Sequence, residues 1–109
     1  MRSLPWLLLL LSACASAPPA AAPELLTGHY RFGFEVEAFR PCGQSRDWWV
    51  ARSDELRARA GDAPPPVFAV VRARVSPEGQ YGHLGAYPRQ VDVVEVVEVR
   101  PSAEGDCAR

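Results

Sequence analysis

The sequence predicts a mainly β protein, a small curled antiparallel sheet or a five-stranded barrel, with one short helix. Three observations lead to this fold class. Apolar and polar residues alternate with a period of two in several segments of the 109-residue chain, which is typical of half-buried strands. Glycine and proline separate those segments. Only one stretch carries the capping residues that begin and end a helix.

The first predicted strand lies in YRFGFEVEAF, which begins at Tyr30. As one continuous strand, this segment has an apolar inner face and a charged outer face. The inner face carries Tyr30, Phe32, Phe34, Val36 and Ala38. The outer face carries Arg31, Glu35 and Glu37. Gly33 predicts a bulge or a sharp bend within it. We therefore expect one bent strand with an apolar inner face.

A second, short strand is predicted from Asp47 to Ala51, after the turn residues Pro41 to Gly43. Trp48 and Trp49 are adjacent in this strand. Their side chains must point to opposite faces of the sheet, because side chains alternate along a strand. Only one of the two indole rings can therefore enter the core.

The helix is predicted in SDELRARAG, residues 53–61. Ser53 is a favourable N-cap and is followed by two acidic residues, and Gly61 is a favourable end. Leu56 and Ala60 form the only apolar stripe. The segment therefore predicts a helix of two turns that covers part of the sheet.

Two further strands follow the helix. Residues 67–75 alternate at their end but are apolar on both faces at their start, so that one end of this strand is expected to be covered by the helix. The valines of QVDVVEVVEVR lie on both faces and predict a long, curled strand with a bulge near Val94. These strands suit a five-stranded barrel of the OB type, although the usual helix of that fold comes after the third strand and here follows the second predicted one. A more open sheet is the alternative.

The N-terminal segment predicts export and lipidation. Residues 1–13 contain an early arginine, an apolar run and small residues, which are the parts of a signal peptide. The run is too short to cross a bilayer as a helix. The sequence from Leu11 to Cys14 resembles the bacterial lipobox, which implies that Cys14 carries lipid and begins the mature chain. A soluble protein released at an ordinary Ala-x-Ala cleavage site is the alternative.

The cysteine count agrees with acylation of Cys14. Three cysteines are an odd number, and an odd thiol in an exported chain needs an explanation. If Cys14 is acylated, Cys42 and Cys107 remain as an even pair that can form one disulfide in an oxidising compartment. Residues 14–27, rich in alanine and proline, are predicted as a tether, and residues 28–109 as the folded domain.

The segment GHYRFGFEVEAFRPCGQSRDWWV, the short helix, the strand VFAVVRARV and the final cysteine resemble the C-terminal OB-like domain of the NlpE family of bacterial outer-membrane lipoproteins. In that family a first strand ends in a cysteine, and a C-terminal cysteine closes a disulfide to it; Cys42 and Cys107 match those positions. The resemblance covers roughly residues 28–107. The N-terminal domain of the NlpE family, which contains a Cys-x-x-Cys, is not found in this sequence. Copper handling and stress signalling are therefore not extended to this chain.

The resemblance and the N-terminal motif together imply a location. Ala15 rather than aspartate follows Cys14, and in sorted lipoproteins this implies delivery to the outer membrane. We therefore expect a protein anchored to the outer membrane of a bacterial envelope by its lipid, with the domain facing the periplasm. The formal net charge of -1, without a basic patch, disfavours both nucleic acid and anionic lipid as partners.

No residue pattern predicts an enzyme, a cofactor or a metal site. His29 and His83 lie in no nucleophile motif. Glu35 and Glu37 could be drawn as a carboxylate pair, but charges at such spacing are typical of the solvated face of a strand. Catalysis is therefore not expected.

The remaining functional signal is a set of aromatic residues, some of them within a glycine-rich loop. The candidate ligand-binding residues are Trp48, Trp49, Tyr81, His83 and Tyr87. Exposed rings can recognise a sugar, a peptide or an envelope protein; the alternative is that these rings fill the barrel or cover its edge. The expectation is a non-enzymatic envelope lipoprotein that binds or senses a partner or ligand. A purely structural spacer is the other interpretation.

Overall fold

A computed structural model describes residues 21–108 of the chain. Five strands close into a barrel in the order β1, β2, β3, β5, β4, and one helix packs against it. The elements are β1 (Glu24–Gly33), β2 (Val36–Pro41), β3 (Trp48–Val50), α1 (Asp54–Ala60), β4 (Val67–Val75), a three-residue 3-10 turn (His83–Gly85) and β5 (Gln90–Pro101). The predicted mainly β barrel with one short helix is confirmed.

The N-terminal predictions meet the structure only at their edge. The signal peptide of residues 1–13 and the lipidation site Cys14 lie outside the described residues. β1 begins at Glu24, so its first four residues belong to the segment assigned to the tether. Within residues 21–108, no helix has the length and apolar character needed to span a membrane.

The predicted first strand is in fact two strands joined by a tight turn at Phe34 and Glu35. β1 and β2 pair antiparallel, with Gly33 opposite Val36. The turn exchanges the two faces of the segment, so that Phe39 is the residue opposite Tyr30 in the core. The expectation that Phe34 faces inward is wrong, because its side chain lies at the hairpin turn and the residue is 88% exposed.

The extra strand also corrects the position of the helix and the direction of one pair. α1 follows the third strand, β3, as in barrels of the OB type. Neighbouring strands cannot alternate in direction all the way round a closed ring of five, so at least one pair must be parallel. That pair is β3 and β5, in which Trp49 lies opposite Gln90 and Val50 opposite Val91. The expected all-antiparallel sheet is therefore wrong at this one junction.

The helix forms as predicted and for the predicted reasons. The Ser53 hydroxyl accepts a hydrogen bond of 3.2 Å from the backbone N–H of Leu56. At the other end, the N–H of Gly61 donates to the carbonyl of Arg57 at 3.2 Å. Leu56 and Ala60 are buried in the barrel core. The two-turn helix is therefore stabilised at both ends and along its apolar stripe.

The last strand curls through two bulges. Its antiparallel register with β4 skips one residue at Val94 and one at Val97. The first confirms the bulge predicted near Val94. Each extra residue moves the following side chain to the opposite face, so that Val91 and Val96 are buried while Val94 and Val97 are 48% and 46% exposed. The bulges explain how a strand with valines on both faces fits one side of a small barrel.

A disulfide between Cys42 and Cys107 ties the C-terminal tail to the end of β2. This is the pair predicted from the cysteine count. The two residues are separated by 65 positions in the chain. For a loop of that size, the chain-entropy model gives a stabilisation of about 4 kcal/mol, which is comparable with the whole stability of a small domain.

A cluster of charges holds the same tail independently of the sulfur bond. The Asp106 carboxylate accepts hydrogen bonds from the backbone N–H of Ala103 at 2.8 Å and from His29 Nε2 at 2.9 Å, and it pairs with Arg100 Nη2 at 2.8 Å. Its side chain is only 3% exposed. The Arg100 guanidinium lies 4.0 Å from the centroid of the Phe68 ring. The tail is therefore fixed to the outside of β1, β4 and β5.

The Asp106 hydrogen bonds predict a dependence of stability on pH. The bond from Ala103, followed by those from His29 and Arg100, lowers the pKa of Asp106 from 3.8 to about 2. A carboxyl whose pKa is lower in the folded chain stabilises the fold above its ordinary pKa, and this stabilisation disappears as the pH falls toward 2. We expect Asp106→Asn to lower the Tm at pH 6, with the difference from the unsubstituted protein closing between pH 4 and pH 2.

The matched control for this experiment is Asp92→Asn, the same chemical change at an exposed position on β5. Thermal unfolding at several pH values measures both variants. A Tm difference for Asp106→Asn that stays constant from pH 6 to pH 2 would contradict a role for the ionised carboxylate.

Candidate functional site

The two tryptophans occupy opposite faces of β3, as the alternation predicts. Trp48 packs against the hydrophobic core and is partly buried, and the Arg89 guanidinium lies 5.9 Å from its ring centroid. Trp49 faces the outside and contacts Tyr87, with ring centroids 5.2 Å apart. Trp48 is therefore part of the barrel filling, and Trp49 is part of the outer surface next to β2.

The loop between β4 and β5 is a small hairpin that lies over Trp49. Tyr81 and Tyr87 exchange two backbone hydrogen bonds of 2.9 Å and 3.1 Å, and the 3-10 turn (His83–Gly85) is at its end. Gly82 lies directly on the Trp49 indole: a Cβ atom at Gly82 would be 2.4 Å from Cδ2 of that ring. The glycine is therefore required for the loop backbone to approach the ring this closely.

The two tyrosines of this loop have contacts within the protein. The Tyr81 hydroxyl donates to the carbonyl of Pro77 at 2.8 Å, and its ring lies against Gly79, 3.0 Å from where a Cβ of that glycine would be. Tyr87 lies against Trp49. Both tyrosines are half-buried. These contacts agree with the alternative interpretation, in which the rings cover an edge of the barrel.

The most exposed apolar groups lie at the ends of this loop and of the β1–β2 hairpin. Phe34 and Leu84 are each 88% exposed. Their neighbours Glu35 and His83 are in contact, with 3.4 Å between Oε1 and Nε2. We call these four residues the apolar tip. Of these residues, His83 was predicted as a candidate from the sequence. Phe34 was predicted in the core instead, and Leu84, which has no aromatic ring, was not predicted as a site residue.

The backbone of the apolar tip is unusual. Glu35 has φ of 57° and Leu84 has φ of 59°, the left-handed region that non-glycine residues seldom adopt. Such conformations cost free energy and persist where the surrounding structure enforces them, often at functional sites. Their effect here is to hold the Phe34 and Leu84 side chains outward on two adjoining loops.

A polar network inside the hairpin joins it to the helix. The hydroxyl of the fully buried Tyr30 donates to Glu37 Oε1 at 2.9 Å, and the Arg57 Nε donates to Glu37 Oε2 at 3.1 Å. Burial, more than any other cause, raises the pKa of Tyr30 to about 12. Glu37 was predicted on the solvated face with Glu35; it instead lies on the inner face and links β2 to α1.

His29 and Glu37 lie in two separate networks. His29 donates toward Asp106 at the tail, and Glu37 binds Tyr30 and Arg57 at the helix. In the part of the chain from residue 21 to 108, no group of three histidine, cysteine, aspartate or glutamate side chains could hold a metal ion.

Comparison with known proteins adds no relative. No family model, no curated protein and no solved structure matches this chain. The function is therefore argued from the N-terminal motif, the fold and the geometry of the surface.

The contact between Gly82 and Trp49 predicts a large effect of one methyl group. Gly82→Ala must displace the loop from the indole ring. It also puts a side chain at φ of 72° and ψ of -158°, a backbone region that is almost exclusive to glycine. We expect a loss of about 2 to 6 kcal/mol in the free energy of unfolding, the sum of the costs of this backbone conformation and of overpacking. The matched control is Gly85→Ala. Gly85 also has positive φ, but its Cβ would meet only the Gln80 Cβ at 3.5 Å, an ordinary contact.

Denaturant unfolding and tryptophan fluorescence measure the two variants. Gly82→Ala should also alter the emission of the folded protein, since it moves the loop that covers Trp49, and Gly85→Ala should not. Equal losses of stability in both variants would mean that the backbone conformation, and not the contact with Trp49, decides the effect.

Proposed function

We propose that this chain is a lipid-anchored protein of the bacterial cell envelope whose barrel binds a protein partner through the apolar tip, without catalysis. The observation that carries the proposal is the exposure of Phe34 and Leu84, each 88%, on two loops that meet at the contact between Glu35 and His83. When a partner covers a large apolar side chain that is exposed to water, the free energy of the system falls by about 1.5 to 3 kcal/mol. An exposed apolar group held this way suits an interface.

The position of the apolar tip in the fold supports the same proposal. It is formed by the loop between β1 and β2 and the loop between β4 and β5. In barrels of the OB type, these two loops and the face of strands 2 and 3 commonly bind ligands. Trp49, Tyr87 and His83 lie on or beside this face. The fold indicates this region only by analogy. The exposed residues of this chain indicate which side chains a partner would cover.

The proposed anchor rests on the sequence. The match of Leu11 to Cys14 to a lipobox supports acylation of Cys14, and Ala15 supports sorting to the outer membrane. The resemblance to the NlpE family points to the same location, with the domain facing the periplasm. A lipid chain at Cys14 is the proposed membrane contact, and the barrel supplies the contact with the partner or ligand.

Absence of catalysis is proposed from the use of the titratable groups. His29 and Glu37, two residues considered as acid or base, are each bound to oppositely charged or hydroxyl groups that stabilise the fold. No cofactor is part of the proposal. The other candidate function is a structural spacer, in which the barrel supports an envelope assembly without a specific contact at the apolar tip.

Acylation is tested by the mass of the chain. The membrane form should begin at Cys14 and carry additional acyl mass, because the lipobox directs lipid to that thiol before cleavage. Replacement Cys14→Ser should move the protein out of the outer-membrane fraction. An unsubstituted chain that is soluble and without acyl mass would contradict the anchor, and recovery in the inner membrane would contradict the sorting.

Partner binding is tested with a photo-crosslinking amino acid at Ala86, an exposed residue two positions after Leu84, which leaves the contact between Glu35 and His83 in place. In intact cells, we expect one discrete adduct, reduced about tenfold or more by Phe34→Ser or Leu84→Ser, since each removes the burial of one large apolar group. The matched control is Leu25→Ser, which removes an apolar residue that is 56% exposed at the start of β1. The Tm should be unchanged in all three variants.

Two results would contradict binding by the apolar tip. One is the absence of any adduct at Ala86, which the spacer interpretation predicts. The other is an adduct that Leu25→Ser weakens as strongly as Phe34→Ser does, because the contact would then be nonspecific.

A further inference from the structure

A cleft lies on the outside of the barrel, where β4 begins and β5 ends beside β1. Its volume is about 340 Å³, and its lining residues are His29, Arg31, Arg40, Asp47, Pro66 and Ser102. It is separate from the apolar tip. The last residue of β1 that pairs with β4 is Tyr30, so beyond it the sheet leaves room for the cleft.

The register of the barrel brings two arginines to this cleft. Arg31 on β1 and Arg40 on β2 both point outward, because Tyr30 and Phe39, their neighbours in sequence, are buried in the core. Both guanidinium groups bind one carboxylate: Arg40 Nε donates to Asp47 Oδ1 at 2.8 Å, and Arg31 Nη2 donates to Oδ2. Asp47 thus holds two cations side by side that would otherwise repel each other.

Asp47 uses only a small part of what the arginines offer. Each guanidinium has five N–H donors in a planar fork that suits oxyanions, and Asp47 engages one nitrogen of each group. The Arg31 and Arg40 side chains are 44% and 52% exposed, whereas that of Asp47 is 15% exposed. Donors therefore remain open to the cleft while the carboxylate lies beneath them.

The charges of the cleft favour an anion. Two arginines against one aspartate give its Arg–Asp–Arg group a net charge of +1, although the whole chain has a formal net charge of -1. The other titratable group of the lining, His29, is bound to Asp106 at 2.9 Å. A phosphate or carboxylate group entering here would meet two guanidinium groups already held in position, which reduces the entropy lost on binding.

We propose that this cleft is a second binding site, beyond the proposed function of the apolar tip, and that it takes an oxyanion group, phosphate or carboxylate, between Arg31 and Arg40. The source of the group is either a free small molecule or the headgroup of an anionic lipid. Asp47 has two opposing effects on the binding of an anion. It positions the arginines, which favours binding, and its own negative charge repels the anion, which weakens binding.

The experiment is an NMR titration of the full chain, in a non-ionic detergent at pH 7 and constant ionic strength, with inorganic phosphate. We expect saturable shifts at the backbone amides around Arg31, Arg40 and Asp47. Arg31→Gln or Arg40→Gln should weaken binding about fivefold or more, the factor for one unit charge at about 4 Å in water. Asp47→Asn removes the negative charge but keeps one side-chain oxygen that can accept a hydrogen bond from an arginine. It should therefore strengthen binding by about the same factor, a gain that a damaged fold would not produce.

The matched control is Arg72→Gln. Arg72 is also a strand arginine, 46% exposed and paired with a carboxylate, Glu95, at 3.3 Å. It lies on β4, outside the cleft lining, so its replacement should leave phosphate binding unchanged. A parallel thermal unfolding of every variant separates a lost site from a lost fold.

Binding to phosphatidylcholine vesicles with and without phosphatidylglycerol distinguishes the two sources. Binding that needs both phosphatidylglycerol and Arg31 supports the site with a lipid headgroup, and Arg31-dependent binding of phosphate alone supports it with a free anion. The absence of saturable shifts together with vesicle binding that does not depend on Arg31 would overturn the proposal. So would equal weakening by Arg72→Gln, or no gain from Asp47→Asn in a folded protein.

Discussion

The barrel depends on the close approach of two backbones at Gly28. This residue pairs on one side with Pro41 of β2 and on the other with Ala69 of β4. It therefore lies where β1 is held by both of its neighbouring strands. A Cβ atom at Gly28 would lie 2.1 Å from the carbonyl oxygen of Arg40, a distance that no side chain tolerates. The absence of a side chain lets the β1 and β2 backbones approach this closely, at a residue that also pairs with β4.

The positions that matter for function follow from this closure. From Gly28 to Tyr30, β1 pairs with both β2 and β4. The residues of β1 after Tyr30 no longer pair with β4 and continue with β2 alone. That free stretch forms the hairpin that carries Phe34, and its outer face carries Arg31. The sequence analysis assigned the bend to Gly33, but a Cβ there would meet nothing within 4 Å. Sequence shows that a glycine is present, not which backbone will pass next to it.

The sequence predicted the features whose causes lie within a few neighbouring residues of the chain. The helix could be read from Ser53 and Gly61 because capping uses atoms only a few residues apart. Both bulges of β5 reflect one local fact, valines on both faces, and one bulge was predicted. The turn at Phe34 and Glu35 was missed because neither residue is a usual turn former, and apolar alternation continues through it. Missing that turn also gave Glu37 the wrong face, since the two-residue turn pairs Gly33 with Val36 and so reverses which residues of β2 point inward.

The candidate site was harder to predict, because exposure is a property of the assembled chain. Tyr81 and Tyr87 carry the rings that a binding surface often uses, yet their contacts are with Pro77, Gly79 and Trp49. Leu84, without a ring, is left in water. What decides this is the approach of the β4–β5 loop to Trp49, a contact between residues more than thirty positions apart.

The ends of β1 give the proposed lipoprotein a direction. The strand begins at Glu24, next to the proposed tether, and its hairpin turn carries Phe34 ten residues later. Ten strand residues span at most about 33 Å, and the strand's bend shortens this distance. The apolar tip therefore lies at the end of β1 away from the tether, while the arginine cleft lies along its second half. With an anchor at Cys14, such an arrangement would present Phe34 and Leu84 away from the membrane, which favours a protein over lipid as the partner that covers them.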